Sequence, residues 1–256
     1  MKELKVFTVI IAWTLSQSIL YGQADSIPKK QDCKTAKIAG IAIPSAMITY
    51  GLISLDNNGI IRKIDYNVHN SLEQNNRFWY IHAEDYIQFA PAIAAYTLKF
   101  CKLENTNKLL DMTILYGLSN AVAGCIVEGG KFIIGRERPD NSNHYSFPSG
   151  HTETAFVAAE FLHQEYKNKT VWISVGGYAA ATFVGIARVY NNKHWVSDVV
   201  TGAGIGILST KAVYWAYPYI KKIYEDNFGK KSKPLHTFIF PGYSNGNLSL
   251  ALCYAF

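Results

Sequence analysis

The sequence predicts an all-α fold, a helical bundle of about six core helices with a small C-terminal β-hairpin. Six apolar stretches rich in glycine and alanine follow one another between short polar joints, and each is too long for a β-strand. They cover residues 38–55, 83–100, 111–134, 152–166, 170–190 and 195–217. A further, amphipathic helix is predicted over 60–77, where Ile61, Ile64 and Val68 fall on one side.

The C-terminal tail follows a different period. Over 248–256, large apolar residues alternate with small ones, which is typical of a strand. A second β-like run covers 236–240, and 244–246 supplies turn residues between the two. The sequence therefore predicts a hairpin over 235–256, preceded by a helical domain over 25–234.

The N-terminus has the three parts of a secretory signal peptide. Lys2 and Lys5 precede the uncharged stretch 6–20, and the small-x-small pattern Gly-Gln-Ala follows at 22–24. We therefore expect residues 1–24 to be a cleaved signal peptide and the chain to be exported. An uncleaved signal anchor is the alternative.

Composition and charge exclude several classes of protein. The chain has 256 residues, of which 49% are hydrophobic and 17% charged, so it is too apolar for a disordered tail. The net charge of +6 suits an anionic partner. The basic residues are scattered without an arginine-rich stripe, so we expect no nucleic-acid partner. The four cysteines form no C-x-x-C pair, and nothing in the sequence calls for a metal or another cofactor.

Three polar clusters interrupt the apolar pattern, at 131–139, 148–151 and 188–198. They bring Lys131, Arg138 and Arg188 to the ends of apolar helices. Placing a cation in such apolar surroundings is energetically unfavourable unless an anion binds beside it. Guanidinium groups bind phosphate oxygens in pairs, and a lysine adds a point charge. The clusters therefore predict a phosphate site.

The middle cluster lies where a loop enters a predicted helix. Ser149, Gly150 and His151 stand just before Thr152, so free backbone N–H groups and the helix dipole favour a phosphate there. Gly150 permits close approach of the backbone. A protonated His151 could serve as general acid toward the leaving oxygen and then as general base for water.

The third cluster pairs a histidine with a carboxylate. His194 and Asp198 are four residues apart, hence on one face of a helix that starts near His194. In that geometry the carboxylate can accept a hydrogen bond from one ring nitrogen and fix the tautomer. The other ring nitrogen is then free to attack phosphorus.

The motifs Lys-x6-Arg-Pro, Pro-Ser-Gly-His and Arg-x5-His-x3-Asp, in this order, resemble the three-part signature of the phosphatidic-acid phosphatase type 2 superfamily. That superfamily also contains bacterial nonspecific acid phosphatases and vanadium haloperoxidases. The resemblance implies phosphate binding by Lys131, Arg138, Ser149, Gly150 and Arg188. It further implies that His194 is the nucleophile, His151 the acid and base, and Asp198 the partner that orients His194, with no metal needed for hydrolysis.

The leading hypothesis is an envelope phosphatase that hydrolyses a phosphomonoester or a diphosphate through a phosphohistidine. A lipid substrate such as phosphatidic acid, phosphatidylglycerophosphate, polyprenyl diphosphate or a lipid A phosphate is favoured, because the predicted site lies among apolar helices. The alternatives are a nonspecific acid phosphatase for soluble substrates, a vanadium-dependent haloperoxidase and a non-catalytic envelope protein.

The fourth apolar run, 152–166, is short for a membrane span and contains Glu153, Glu160 and Glu165. We expect these glutamates to form a solvated or intersubunit face. The lysines concentrate on the side away from the predicted site. The sequence therefore predicts an exported bundle that associates with a membrane through its apolar helices and faces the periplasm with its site.

Overall fold

The structure is a computed structural model that describes residues 30–75, 82–228, 236–244 and 247–255. The helices in these ranges are α1 (Lys30–Ile53), α2 (Ile60–Gln74), α3 (Glu84–Ile87), α4 (Ala90–Phe100), α5 (Leu109–Ile134), α6 (Gly150–Tyr166), α7 (Val171–Tyr190) and α8 (Val196–Phe228). The predicted all-α body is confirmed, and α2 is the predicted amphipathic helix. The predicted signal peptide, 1–24, lies outside the described residues.

The apolar run 83–100 forms two helices instead of the predicted one. Pro91 stands in the first turn of α4. Proline lacks an N–H group, and its ring clashes with the carbonyl four residues earlier, so a continuous helix is broken before it. The short helix α3 is thereby separated from α4, and it carries Glu84 and Asp85.

Helix α6 is the centre of the bundle. It packs against α4, α5 and α7, and none of its residues is exposed. Phe161 and Tyr166 at its C-terminal end are fully buried and pack with Met112 of α5 and Ala95 of α4. Burial of such large side chains is the main favourable term in folding.

The three glutamates of α6 are buried, so the predicted solvated or intersubunit face is wrong. Glu153 is 4% exposed, Glu160 is fully buried and Glu165 is 1% exposed. Glu160 accepts hydrogen bonds from Lys211 of α8 and from the hydroxyl of Tyr178 of α7. Partners supplied by neighbouring helices offset the loss of water, which charge counting along one helix could not reveal.

Glycines bring the backbone of α8 against the start of α6. A β-carbon at Gly202 would lie 2.4 Å from the carbonyl oxygen of Ser149. One turn later, a β-carbon at Gly206 would lie 2.6 Å from the carbonyl oxygen of Glu153. No larger residue fits these places without shifting a helix, so the glycines set the distance between α6 and α8.

Three helices of the described chain are long and apolar enough to cross a membrane: α5, α7 and the part of α8 from Val196 to Tyr224. Large apolar side chains of α5 are exposed, among them Leu110, Phe132 and Ile133. Exposed apolar faces of this length suit association with a lipid bilayer.

The chain divides into two compact units, the second of which comprises Trp215–Phe256. In this unit β1 (His236–Ser244) pairs with β2 (Asn247–Ala255) in antiparallel register, from His236 opposite Ala255 to Ser244 opposite Asn247. The domain boundaries given by the sequence, 25–234 and 235–256, stay predictions.

Candidate active site

The predicted site residues lie where several helices end or begin. Lys131 is in the last turn of α5, and Arg138 is in the loop that follows. Ser149 is the residue before α6, and Gly150 and His151 open that helix. The remaining three come from the end of α7 and the start of α8: Arg188, His194 and Asp198.

His194 lies in the joint between α7 and α8 and is only 3% exposed. Its ring atom Nδ1 is 2.7 Å from the carbonyl oxygen of Ser146. Because a carbonyl can only accept, Nδ1 carries the proton and Nε2 carries the lone pair. Burial lowers the pKa of His194 to about 4, although the nearby carboxylate of Asp198 opposes the change. The ring is therefore neutral near pH 7, as a nucleophile must be.

Asp198 reaches His194 mainly through Ser146, which differs from the direct hydrogen bond expected from the sequence. Its Oδ2 atom is 3.7 Å from Nδ1 of His194, beyond hydrogen-bond distance. The same oxygen accepts hydrogen bonds from the hydroxyl of Ser146 at 2.5 Å and from the backbone N–H of Trp195 at 2.9 Å. Ser146 thus bonds the carboxylate with its hydroxyl and the imidazole with its carbonyl.

His151 faces an acidic residue that the sequence did not single out. Its Nε2 atom is 2.9 Å from Oδ1 of Asp85 on α3. Burial and the charge of Arg188 lower the pKa of His151, while Asp85 acts in the opposite direction. The carboxylate therefore favours the protonated ring that a general acid requires.

Arg188 is close enough to both histidines for its charge to act on them. Its Nη1 atom is 3.2 Å from Oε1 of Glu84 and 3.8 Å from Oδ1 of Asp85. Within the described part of the chain its buried Nε atom has no hydrogen-bond partner. The charge of Arg188 lowers the pKa values of His151 and His194. One guanidinium therefore acts on both rings, with a donor still free for a ligand.

Lys131 and Arg138 add two more cations. A β-carbon at Gly150 would lie 3.2 Å from the Nζ atom of Lys131, so the ammonium group lies against the start of α6. Arg138 is close enough to His194 for its charge to lower the pKa of that ring. Its Nε atom is buried and, among the described residues, unpartnered.

The hydroxyl of one predicted residue, Ser149, already has a partner within the protein. The Ser149 side chain is fully buried, and its hydroxyl lies 2.9 Å from the hydroxyl of Thr152. Ser146 joins His194 to Asp198, and Asp85 joins His151 to Arg188. The charges of Arg188 and Arg138 act on His194, and Lys131 lies against Gly150, so the other seven predicted residues lie in one region. The residues that the sequence reasoning missed are Asp65, Glu84, Asp85, Arg136, Ser146 and Ser197.

Arg136 is the missed residue that a sequence signal could have indicated, because it stands two positions before Arg138 in the same basic cluster. It is 7% exposed, and its guanidinium contacts Asp198 at 2.6 Å and Asp65 at 2.7 Å. Asp65 comes from α2, and nothing in its local sequence distinguishes it. Among the described residues, no group of three His, Cys, Asp or Glu side chains is placed to hold a metal ion.

Comparison with known proteins gives three findings. Residues 113–222 match the family model described as PAP2 superfamily. A lipid A 1-phosphatase of Porphyromonas gingivalis is 47% identical over 104 residues, which cover 41% of this chain and 23% of that protein. Phosphatidylglycerophosphatase B of Bacillus subtilis is 39% identical over 89 residues, which cover 29% of this chain and 43% of that protein. The matched region thus spans less than half of either relative.

Among solved structures, a transmembrane PAP2-type phosphatidylglycerolphosphate phosphatase of Bacillus subtilis aligns with a TM-score of 0.49 and 22% identity. The alignment covers 71% of this chain and 97% of that one.

Proposed function

We propose that the chain, whose residues 113–222 match the PAP2 superfamily model, is a member of that superfamily and a membrane-associated phosphatase that works through a phosphohistidine. The substrate is a phosphomonoester or diphosphate, in the first place that of a lipid. One observation carries the proposal: His194, held neutral with its lone pair on Nε2, lies beside two guanidinium groups that still have free buried donors.

In the first step, Nε2 of His194 attacks phosphorus and forms a P–N bond while the bond to the leaving oxygen breaks. His151 gives its proton to that oxygen. Arg188 and Arg138 donate to the phosphoryl oxygens, whose charge is greatest in the transition state. Lys131, beside Gly150, adds a further positive charge.

In the second step, His151 takes a proton from water, and the resulting hydroxide attacks phosphorus. The P–N bond breaks, inorganic phosphate leaves and His194 returns to its neutral form. Asp85 favours the proton on His151 during the first step. These steps use side chains of this chain and need no metal.

Two observations support a lipid as the substrate. The site lies at the ends of α5 and α7 and the start of α8, which are the three helices apolar and long enough to cross a membrane. The two relatives described above are, by their names, phosphatases of lipid A and of phosphatidylglycerophosphate. We extend the proposal to location: an exported protein of the cell envelope with its site facing the periplasm.

A phosphate-release assay tests the proposal. The purified protein in detergent micelles is given phosphatidic acid, phosphatidylglycerophosphate, a polyprenyl diphosphate, a lipid A phosphate and soluble p-nitrophenyl phosphate. We expect turnover of at least one lipid, undiminished by EDTA and inhibited by vanadate. Release of no phosphate from any of them would contradict the proposal. Strong inhibition by EDTA would contradict its metal-free mechanism.

A further inference from the structure

Building on the proposed phosphatase reaction, we infer that Asp65 on α2 is a positioning residue, which holds Asp198 in place through Arg136. In the described structure Asp65 bonds Arg136 and Ser197, neither of which is among the predicted phosphate-binding residues. It acts through a buried network that joins α2 to the loop after α5 and to the first turn of α8.

The guanidinium of Arg136 bridges two carboxylates. Its Nη2 atom is 2.7 Å from Oδ2 of Asp65, and its Nη1 atom is 2.6 Å from Oδ1 of Asp198. The side chain of Arg136 is 6% exposed, and both carboxylates are fully buried. Charge-assisted bonds in such surroundings are short and strongly directional. The position of Asp198 therefore depends on where Asp65 holds the guanidinium.

Ser197 ties the first turn of α8 directly to Asp65. Its backbone N–H donates to Oδ1 of Asp65 at 3.0 Å, and its hydroxyl donates to Oδ2 at 2.5 Å. That hydroxyl also accepts a hydrogen bond from Arg136 at 2.8 Å. Asp198 follows Ser197 in the chain, so Asp65 fixes both its side chain and its backbone.

The network extends to His194 by way of the loop after α5. Gly135 ends α5 in the left-handed conformation, with φ of 59°, and so turns the chain before Arg136. The carbonyl of Arg136 accepts a hydrogen bond from the N–H of Ser146 at 2.9 Å. Ser146 in turn bonds Asp198 and His194. A displaced Arg136 would thus shift the groups that orient the nucleophile.

The network also carries charge. Burial raises the pKa of Asp65, while its hydrogen bonds from Ser197 and the charge of Arg136 act in the opposite direction. With both carboxylates ionised, they and the one guanidinium leave a net negative charge beside His194, whose Nδ1 atom is 3.7 Å from Asp198. When Nε2 bonds to phosphorus, the ring becomes cationic, and a buried negative charge stabilises it. Removing the charge of Asp65 should therefore slow the chemical step and leave substrate binding unchanged.

The test uses Asp65→Asn, which keeps the shape and removes the charge, with p-nitrophenyl phosphate as substrate. We expect kcat to fall by about 10- to 100-fold, by analogy with the loss that follows when the hydrogen-bond partners behind metal-ligating side chains are changed. KM should stay within about twofold. The acid limb of the kcat/KM profile should move to lower pH, because loss of a negative charge lowers the pKa of His194 further.

The matched control is Asp140→Asn. Asp140 lies in the same loop and pairs with Lys193 at 2.7 Å, but it has no contact with the network around Arg136 in the described structure. Its variant should keep the wild-type kcat and pH profile. An equal loss in both variants would indicate a general effect of breaking an ion pair near the site, and would overturn the inference.

A double-mutant cycle tests whether Asp65 acts through Asp198. In an Asp198→Asn background, Asp65→Asn should cause little further loss, because the group through which it acts is already altered. Full additivity would contradict the inference, as would a folded Asp65→Asn protein with wild-type kcat. If Asp65→Asn does not fold, Ser197→Ala replaces it, with an expected kcat loss of about 3- to 10-fold. A wild-type protein that hydrolyses nothing would contradict the proposed function instead.

Discussion

Buried charged groups lie near both ends of α6, and their hydrogen bonds are satisfied to different degrees. At the C-terminal end, Glu165 accepts four hydrogen bonds, two from Asn107 at 3.0 and 2.8 Å, one from Asn105 at 2.7 Å and one from Tyr214 at 2.6 Å. At the N-terminal end, the buried Nε atoms of Arg188 and Arg138 have no partner in the described residues. The buried carboxylate at the C-terminal end has its hydrogen-bond partners within the protein, whereas two buried donors at the N-terminal end lack partners among the described residues.

The difference separates structure from function along one helix. Fully paired buried carboxylates such as Glu165 connect α6 to its neighbours, and the fold alone accounts for them. Unpaired buried cationic donors are unfavourable in the absence of a ligand. Their presence beside two histidines supports the proposed phosphate site at the N-terminal end, while the paired groups at the C-terminal end connect α6 to its neighbours.

The largest expected effect is at the nucleophile. His194→Ala should lower kcat by at least about 10³-fold, because no P–N bond can form. Phosphate release and rapid-quench trapping of a phosphoenzyme measure this. The control is His163→Gln, in the C-terminal half of α6. The Nδ1 atom of His163 lies 2.8 Å from the hydroxyl oxygen of Ser174, and this pair is not part of the proposed site. A His194 variant with near wild-type kcat would contradict the proposal that the N-terminal end of α6 is the reactive one.

The next effect concerns the unpaired donors. Arg188→Lys keeps the positive charge but loses Nε and the planar fork, so kcat/KM should fall by about 10²-fold. As a control, Lys211→Arg also keeps the charge, and Lys211 pairs with Glu160 of α6 at 2.8 Å. That variant should change kcat/KM by less than about twofold. Equal losses in steady-state assays would contradict the comparison.

The smallest effect on activity is expected at Glu165. Glu165→Gln keeps the size of the side chain but replaces one carboxylate oxygen by an NH₂ group. That group cannot accept the hydrogen bonds that the neighbouring residues donate. The free energy of unfolding should fall by about 1–3 kcal/mol, measured by denaturant titration in micelles, with kcat unchanged. Glu104→Gln is the control: its side chain is 85% exposed and pairs with Lys169 on the surface, so stability should not change measurably. A large loss of kcat in Glu165→Gln would show that this end also serves the reaction.

The sequence predicted much of this fold because long apolar runs leave few alternatives to helices. It also predicted seven residues that the structure places in one region, because they stand in three polar clusters whose spacing resembles a known signature. The break in 83–100 was missed even though Pro91 marks it, because the apolar run continues on both sides. The sequence did not indicate Glu84 and Asp85 either, because their contacts with Arg188 and His151 depend on the position that α3 takes after the break.

Asp65 and Ser146 could not be inferred from local patterns. Asp65 reads as an ordinary polar position of an amphipathic helix, and only the three-dimensional path of α2 brings it to Arg136. Ser146 acts partly through its carbonyl, which every residue possesses. The burial of Glu160 and Glu165 depends likewise on partners from other helices. Local chemistry predicts which groups react, while packing decides which groups hold them.

The glycine contact between α6 and α8 fixes the spacing of two backbone segments of the proposed site. Gly202 lies against Ser149, and the N–H of Ser149 donates to the carbonyl of Asp198 at 3.1 Å. The backbone segments that bear His151 and Asp198 are therefore joined directly to each other. The distance between them is set by backbone contact, so rotation of side chains cannot adjust it to the size of a substrate.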